Sequence, residues 1–288
     1  MGYRINKIVF TMFMAMATFS AGAAGECFLL SNGESIFWGD YSNGRLKLNP
    51  FFLRNGEQLK GSWPVYRKST GEVIFESNGQ NGPEIISIDI NSDEMAFKYE
   101  GTGSFSALSK DGNLLAFVSD RQKVIVKDLS SNEFILEFDT DMSIWKRPVW
   151  LEDSVLVYSD RNSNLNAYSF LSGDNIEIEI DGYYPIGSVA DSLFLTDSMA
   201  KLISKYDKNG EIIEFYHRHL SVGPSLFQLK DSNEILYSRQ ETIRLLFLDE
   251  KQSLFKMSLE TGRDSLVSEG FALFGAANIT LNEQARCR

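Results

Sequence analysis

A module of about 40 residues, written again and again along one chain, leaves few folds open, because each copy must stack on its neighbours to bury a core. The clearest copy runs from Ser106 to Leu129. Within it, Lys110-Asp111-Gly112-Asn113 has hairpin-turn chemistry, since Asp and Gly tolerate the left-handed backbone of a tight turn. Leu114 to Ser119 then suits a pleated, mostly buried strand. Val124 to Val126 and Phe134 to Leu136 follow as further apolar runs, separated by polar residues. With the strand leading into the turn, one unit is about four strands, as in a propeller blade.

Looser copies flank it. Counterparts of the Asp111 turn stand at Asn32-Gly33, Thr70-Gly71, Asp153, Asp191 and Asp231. Each is followed by an apolar run: Ser35 to Trp38, Val73 to Phe75, Val155 to Tyr158, Leu193 to Leu195 and Ile235 to Tyr237. Second turns fall at Ser172-Gly173, Asn209-Gly210 and Thr261-Gly262. No amphipathic helix separates these runs. The pattern predicts an all-β chain, a single β-propeller of six four-stranded blades with seven as the alternative. Phe271 to Phe274 is expected to be the strand that completes the first blade, so that N- and C-terminal strands close the ring. Thr242 to Leu248 reads as an insertion.

The segment Ser109 to Arg121 resembles the TolB-type, WD-like propeller repeat. That repeat reads Ser-Pro-Asp-Gly, two variable residues, an aliphatic, Ala, an aromatic, then Ser-Asp-Arg. Lys110 stands where Pro is usual, and Tyr158-Ser159-Asp160-Arg161 repeats the tail one unit later. The resemblance implies the propeller fold. TolB itself carries a smaller α/β domain ahead of its propeller, and here the repeats begin close to the expected cleavage site. Its role in the Tol–Pal envelope system is therefore not carried over, and propellers host unrelated activities.

Residues 1–25 read as a signal peptide: Arg4 and Lys7 precede an apolar run from Ile8 to Phe19, and Ala21 to Gly25 offers small residues for cleavage. That run is shorter than a bilayer span requires. Residues 26–288 form the propeller domain. The expected location is periplasmic or secreted, with no membrane span in the mature chain and a monomeric state. Export permits a disulfide. Cys27 and Cys287 are the only cysteines, at the two ends of the mature chain, and a bridge between them would pin the ring. The net charge of -11 argues against nucleic acid and anionic membrane as partners.

Candidate chemistry is sparse. His217 and His219 are the only histidines; on a strand they would share a face, but no cysteine or third histidine completes a metal set, and a solvated turn is the competing reading. Asp89, Asn91, Asp93 and Glu100 have calcium-loop offsets, yet Glu94 replaces the required glycine, which leaves an acidic turn. Asp139 with Asp141, or Asp160 with a neighbour, could form a carboxylate pair if their separation suited it. There is no nucleophile elbow, phosphate loop or dinucleotide fingerprint. Trp38, Trp63, Trp145 and Trp150 are expected either to pack between blades or to ring a channel mouth. Asn278-Ile279-Thr280 is a glycosylation sequon, meaningful only in a eukaryotic secretory host. No catalytic, cofactor or metal residues are assigned. The expected role is a non-catalytic binding scaffold for a protein or peptide at the loop face or channel mouth. The alternatives are a propeller-type hydrolase or lyase acting on glycans or peptides, and a structural subunit of an envelope or secretion complex.

Overall fold

The computed structural model describes residues 26–279 apart from 43–44, 93–95, 152–153, 179, 181–182, 190–191, 198, 201, 207–210, 219–221, 230–232 and 241–251. Among the described residues the chain is all-β, with one short 3-10 turn, Ile144–Lys146, and no α-helix. Its first strands are β1 (Glu26–Ser31), β2 (Ile36–Ser42) and β3 (Arg45–Pro50). There follow β4 (Ser62–Arg67), β5 (Glu72–Gly79), β6 (Gly82–Asp89), β7 (Phe97–Leu108), β8 (Leu114–Ser119), β9 (Lys123–Asp128) and β10 (Glu133–Asp139). Three further runs of strands complete the order. They are β11 (Val149–Leu151), β12 (Val155–Ser159), β13 (Leu165–Ser169) and β14 (Asn175–Ile178); β15 (Tyr183–Val189), β16 (Ser192–Asp197), β17 (Leu202–Tyr206) and β18 (Ile212–Arg218); and β19 (Val222–Gln228), β20 (Glu234–Gln240), β21 (Gln252–Ser258) and β22 (Asp264–Ser268). A short strand, β23 (Ala276–Asn278), comes last.

Sequence neighbours pair antiparallel throughout. Three sheets are simple four-stranded meanders, β11 to β14, β15 to β18 and β19 to β22. A seven-stranded sheet runs from β4 to β10 because β7 serves two units: its first half pairs with β6 and its second half, from Gly103, pairs with β8. The break between the halves is built into the backbone. Gly103 has φ +155, where a Cβ would lie 2.3 Å from the Val118 carbonyl oxygen, and Phe105 adopts φ 64. The remaining sheet has the order β23-β1-β2-β3, so the last described strand sits beside the first, with Leu29 opposite Ala277. Four-stranded antiparallel sheets in this arrangement are consistent with a β-propeller.

Among the described residues, apolar side chains on the sheet faces gather into six clusters, each shared by two units. Val118 and Val126 meet Leu156 and Tyr158; Val157 and Leu165 meet Leu195 and Tyr206; Phe194 and Ile203 meet Ile235 and Tyr237. Phe28 and Leu30 meet Phe227 and Leu236, which joins the first unit to the last. Each buried Leu, Val or Phe contributes roughly 1.5–3 kcal/mol relative to exposure.

The reference turn has the expected chemistry. Gly112 adopts φ 79 and donates its N–H to the Ser109 carbonyl at 2.9 Å. Ser109 Oγ donates to Asp111 Oδ1, which also accepts from the Asn113 N–H at 3.1 Å. Burial alone would raise the Asp111 carboxyl; these hydrogen bonds outweigh it and hold the group below its usual value.

Two expectations are corrected. Phe271 to Phe274 overlaps the pairing segment only at its end: Phe271 and Leu273 drop into the core beside Phe28, the Phe274 N–H and the Gly275 carbonyl bond to Ser31, and the ladder continues through β23. Gly275, at φ 92, turns the chain, and its missing Cβ leaves room for the Trp63 Cα. His217 lies within β18 rather than in a turn. The proposed turns at Asp153, Asp191, Asp231 and Asn209-Gly210, the 242–248 insertion, the leader, His219, Asp93, Glu94, Thr280 and Cys287 lie outside the described residues. Among those residues no helix is long and apolar enough to cross a membrane.

Candidate functional site

Each unit contributes one strand to the middle of the molecule. These are β4, β7, β11, β15, β19 and β23; each neighbours the next in that order, and β23 neighbours β4 again. Where they converge they line an open-mouthed cavity of about 170 Å³, bounded among others by Trp63, Ser106, Arg147, Trp150, Ser188 and Ala276.

Bulges bring the strands close. The register slips between Ser62 and Val65 in β4, Ser104 and Ala107 in β7, Pro185 and Gly187 in β15, and Val222 and Leu226 in β19. A bulge leaves a residue without its ladder partner and re-aims the neighbouring side chain. The freed groups are tied strand to strand. Ser106 Oγ donates to the Trp63 carbonyl at 2.7 Å, and Ser188 Oγ donates to the Trp150 carbonyl at 2.6 Å. The Trp150 indole N–H donates to the Ala107 carbonyl at 3.2 Å, and the Trp63 N–H to the Phe274 carbonyl at 2.8 Å. Trp63 is itself at φ 53, with its ring edge-on to Phe105 and Phe274 at 5.6 and 6.0 Å.

Among the described residues, Arg147 is the one guanidinium in this lining. It enters just before β11 and is only 8% exposed. Nη2 donates to the Ile186 carbonyl, the group stacks over Trp63 with Cζ 5.0 Å from the ring centroid, and Nε is buried without a hydrogen-bond partner. Among the described residues no carboxylate pairs with it. Burial pulls its pKa down to about 9, which still leaves it cationic at neutral pH. Taking such a group out of water costs several kcal/mol, and a desolvated cation–π contact returns about 2 kcal/mol. A buried polar atom without a partner, as Nε is, is uncommon in a native structure and calls for an explanation.

Glu76, on β5, stands behind the same wall. It is half-buried and accepts from the Phe105 N–H at 3.1 Å. Burial raises its carboxyl above the ordinary value, and hydrogen bonds from Phe105, Ser104 and Ser62 only partly restrain the shift. It braces the bulges of β4 and β7 against each other.

The residues singled out from sequence are scattered by comparison. Trp63 and Trp150 do line the cavity, but Trp38 packs on Phe51 at 4.7 Å and Trp145 sits in the 3-10 turn. Asp139 and Asp141 are each taken by a lysine, Lys123 at 2.6 Å and Lys146 at 2.7 Å. The Lys123 hydrogen bond holds the Asp139 carboxyl below its usual value, the wrong direction for a general acid. Asp160 caps its own turn, accepting from the Asn164 N–H at 2.9 Å. Asp89 accepts from the Asn91 N–H at 2.8 Å, and Glu100 is buried against Lys127. No group of three or more potential metal ligands is found among the described residues. Cys27 lies on β1, opposite Asp40.

Arg147 and the cavity serines escaped the sequence reading. A signal was present in the repeat itself. Four units place a glycine at or beside the central strand, Gly61, Gly103, Gly187 and Gly223, and Gly275 precedes β23. The remaining unit has Lys146-Arg147-Pro148 leading into β11. That unit brings a long cationic side chain to the lining instead.

No family model matches the chain, and no curated protein matches it. Solved structures do. A protein of unknown function from Bacteroides caccae is 12% identical with a TM-score of 0.61, covering 88% of this chain and 99% of that one. A chain of a nidogen/laminin complex is also 12% identical with a TM-score of 0.61, covering 88% and 98%. Kuenenia stuttgartiensis hydrazine synthase gives 12% identity and a TM-score of 0.54 over 72% of this chain and 66% of that one. At this identity the likeness extends to fold alone.

Proposed function

We propose that this chain is an exported, six-bladed, TolB-like propeller that serves as a binding scaffold, taking a protein or peptide partner at the mouth of its central channel. The observation that carries this reading is the cavity where six strands converge around an arginine that pairs with no carboxylate among the described residues. The cyclic order of those strands, and the cluster joining the last unit to the first, support a closed ring of six. A bridge between Cys27 and Cys287 would fasten it in an oxidising periplasmic or extracellular setting. One of the similar chains comes from a nidogen/laminin complex, an assembly of two proteins. Carboxylates buttressing turns or paired with lysines support binding over hydrolysis.

The test is partner capture with a blocked control. Ser188→Arg puts a long side chain into the cavity from β15. The purified wild-type protein should retain one partner from an envelope extract in stoichiometric amount, and folded Ser188→Arg should not. Capture by neither protein, together with turnover of glycan or peptide substrates by the wild type, would favour the hydrolase reading instead.

A further inference from the structure

We propose that the cavity beside Arg147 is a carboxylate site, and that the group it accepts is a single carboxylate presented by the end of a peptide or by a small organic acid. The proposal rests on the scaffold reading and names the chemistry its channel recognises.

Three observations point this way. The cation is in place and not neutralised: Nη2 is engaged by the Ile186 carbonyl, the ring of Trp63 covers one face, and among the described residues no carboxylate pairs with it. A guanidinium fork matches a carboxylate in plane and spacing. The space fits as well. About 170 Å³ is room for a carboxylate and several bonded atoms, where one water needs about 10–15 Å³ on the same measure. The charge count then selects among anions. One arginine balances one negative charge, and a doubly charged phosphate or sulfate would bring an uncompensated charge into a buried site.

The overall charge of -11 does not oppose this. Screening confines surface charge to about 8 Å at physiological salt, whereas a buried guanidinium acts on its neighbour almost unscreened. Surface acidity instead disfavours polyanions and leaves a lone carboxylate to the interior.

The cavity serines fit the same picture. Ser106 and Ser188 spend their single hydroxyl protons on the Trp63 and Trp150 carbonyls. They hold the wall in shape and have no second proton to offer, so the guanidinium is the donor a carboxylate would find. The Trp63 and Trp150 rings supply apolar surface for the atoms behind it.

Isothermal titration with three probes tests the site at constant ionic strength in a chloride buffer. The probes are a short peptide with a free C-terminal carboxylate, the same peptide as its C-terminal amide, and propionate. The acid peptide should bind about 10- to 100-fold more tightly than the amide, and Arg147→Met should erase the difference. Circular dichroism confirms that the variant is folded; Arg147→Lys, which keeps the charge but not the fork, should recover part of the preference. Propionate binding that is equally lost in Arg147→Met, with no peptide preference, assigns the site to free acids. It then keeps the carboxylate inference while overturning the scaffold reading. Peptide binding that ignores the terminal carboxylate and survives Arg147→Met overturns the carboxylate inference and leaves the scaffold reading standing. No binding of either acid overturns the inference.

Discussion

Replacing Lys127 with methionine should lower the unfolding free energy by about 3 kcal/mol, the lower end of the range for breaking a buried pair. Lys127 on β9 reaches across to Glu100 on β7, with Nζ 2.8 Å from Oε2 and 3.1 Å from the Glu100 carbonyl. Both side chains are almost wholly buried, at 5% and 1% exposure. Ser87 Oγ donates to Oε1 at 2.9 Å, and Lys98 lies 2.8 Å from the same oxygen. Lys98 is half-exposed and stays behind in the variant, which is why the loss falls at the lower end. Burial alone would raise the Glu100 carboxyl; the hydrogen bonds from Lys127, Lys98 and Ser87 outweigh it and hold the group below its usual value.

The sign of the pH dependence follows. A carboxyl with a depressed folded value stabilises the protein above its unfolded value, near 4.3, and that contribution fades as pH falls through the folded value. The gap between wild type and Lys127→Met should therefore be full at pH 7 and narrow below about pH 4. Urea unfolding at both pH values measures it. Pairing the change with Glu100→Gln should restore most of the loss, since no buried charge is then left alone. A gap that stays constant with pH would place the effect in packing rather than charge.

Loss of the proposed terminal bridge should cost more. A disulfide between Cys27 and Cys287 would close a loop spanning nearly the whole mature chain, worth about 5 kcal/mol in the chain-entropy model. That approaches the total stability of many domains, which runs from about 5 to 15 kcal/mol. Cys27→Ser should thus unfold at much lower urea than the oxidised wild type and should match the reduced wild type. Equal stability of oxidised and reduced wild type would show that the strand pairing and the Phe28–Phe227 contact, at 5.1 Å, hold the ends together without sulfur.

What the sequence disclosed was whatever chemistry acts locally. The Ser109 to Asn113 turn announced itself because its hydrogen bonds join residues within five positions of one another. Leu114 to Ser119 read as a buried strand because both its faces are covered, by Phe105 and Leu129 among others. The last strand was placed too early in the chain because Phe271 and Leu273 carry a strand-like pattern while packing as a plug in the core. Apolar alternation does not say which apolar residues also form ladder bonds. Arg147 was illegible for a deeper reason. Its meaning comes from Trp63, Ile186 and the strands around them, up to 84 residues away in sequence. Glu100 and Lys127 were hidden in the same way, since each reads as an ordinary surface charge until β7 and β9 are laid side by side.

The ring is most directly tested by proton NMR across the seam between first and last strands. In an antiparallel pair, residues that share no ladder hydrogen bond bring their Cα atoms to about 4.5 Å. Leu30 faces Ala276 and Phe28 faces Asn278 in this way, between bonded neighbours at Ser31 and Cys27. Strong Hα–Hα Overhauser contacts are expected within both pairs in the isotope-labelled protein. Their absence, with Ala276 to Asn278 paired to some other strand or to none, would contradict a closed propeller and leave the Arg147 cavity without its sixth wall.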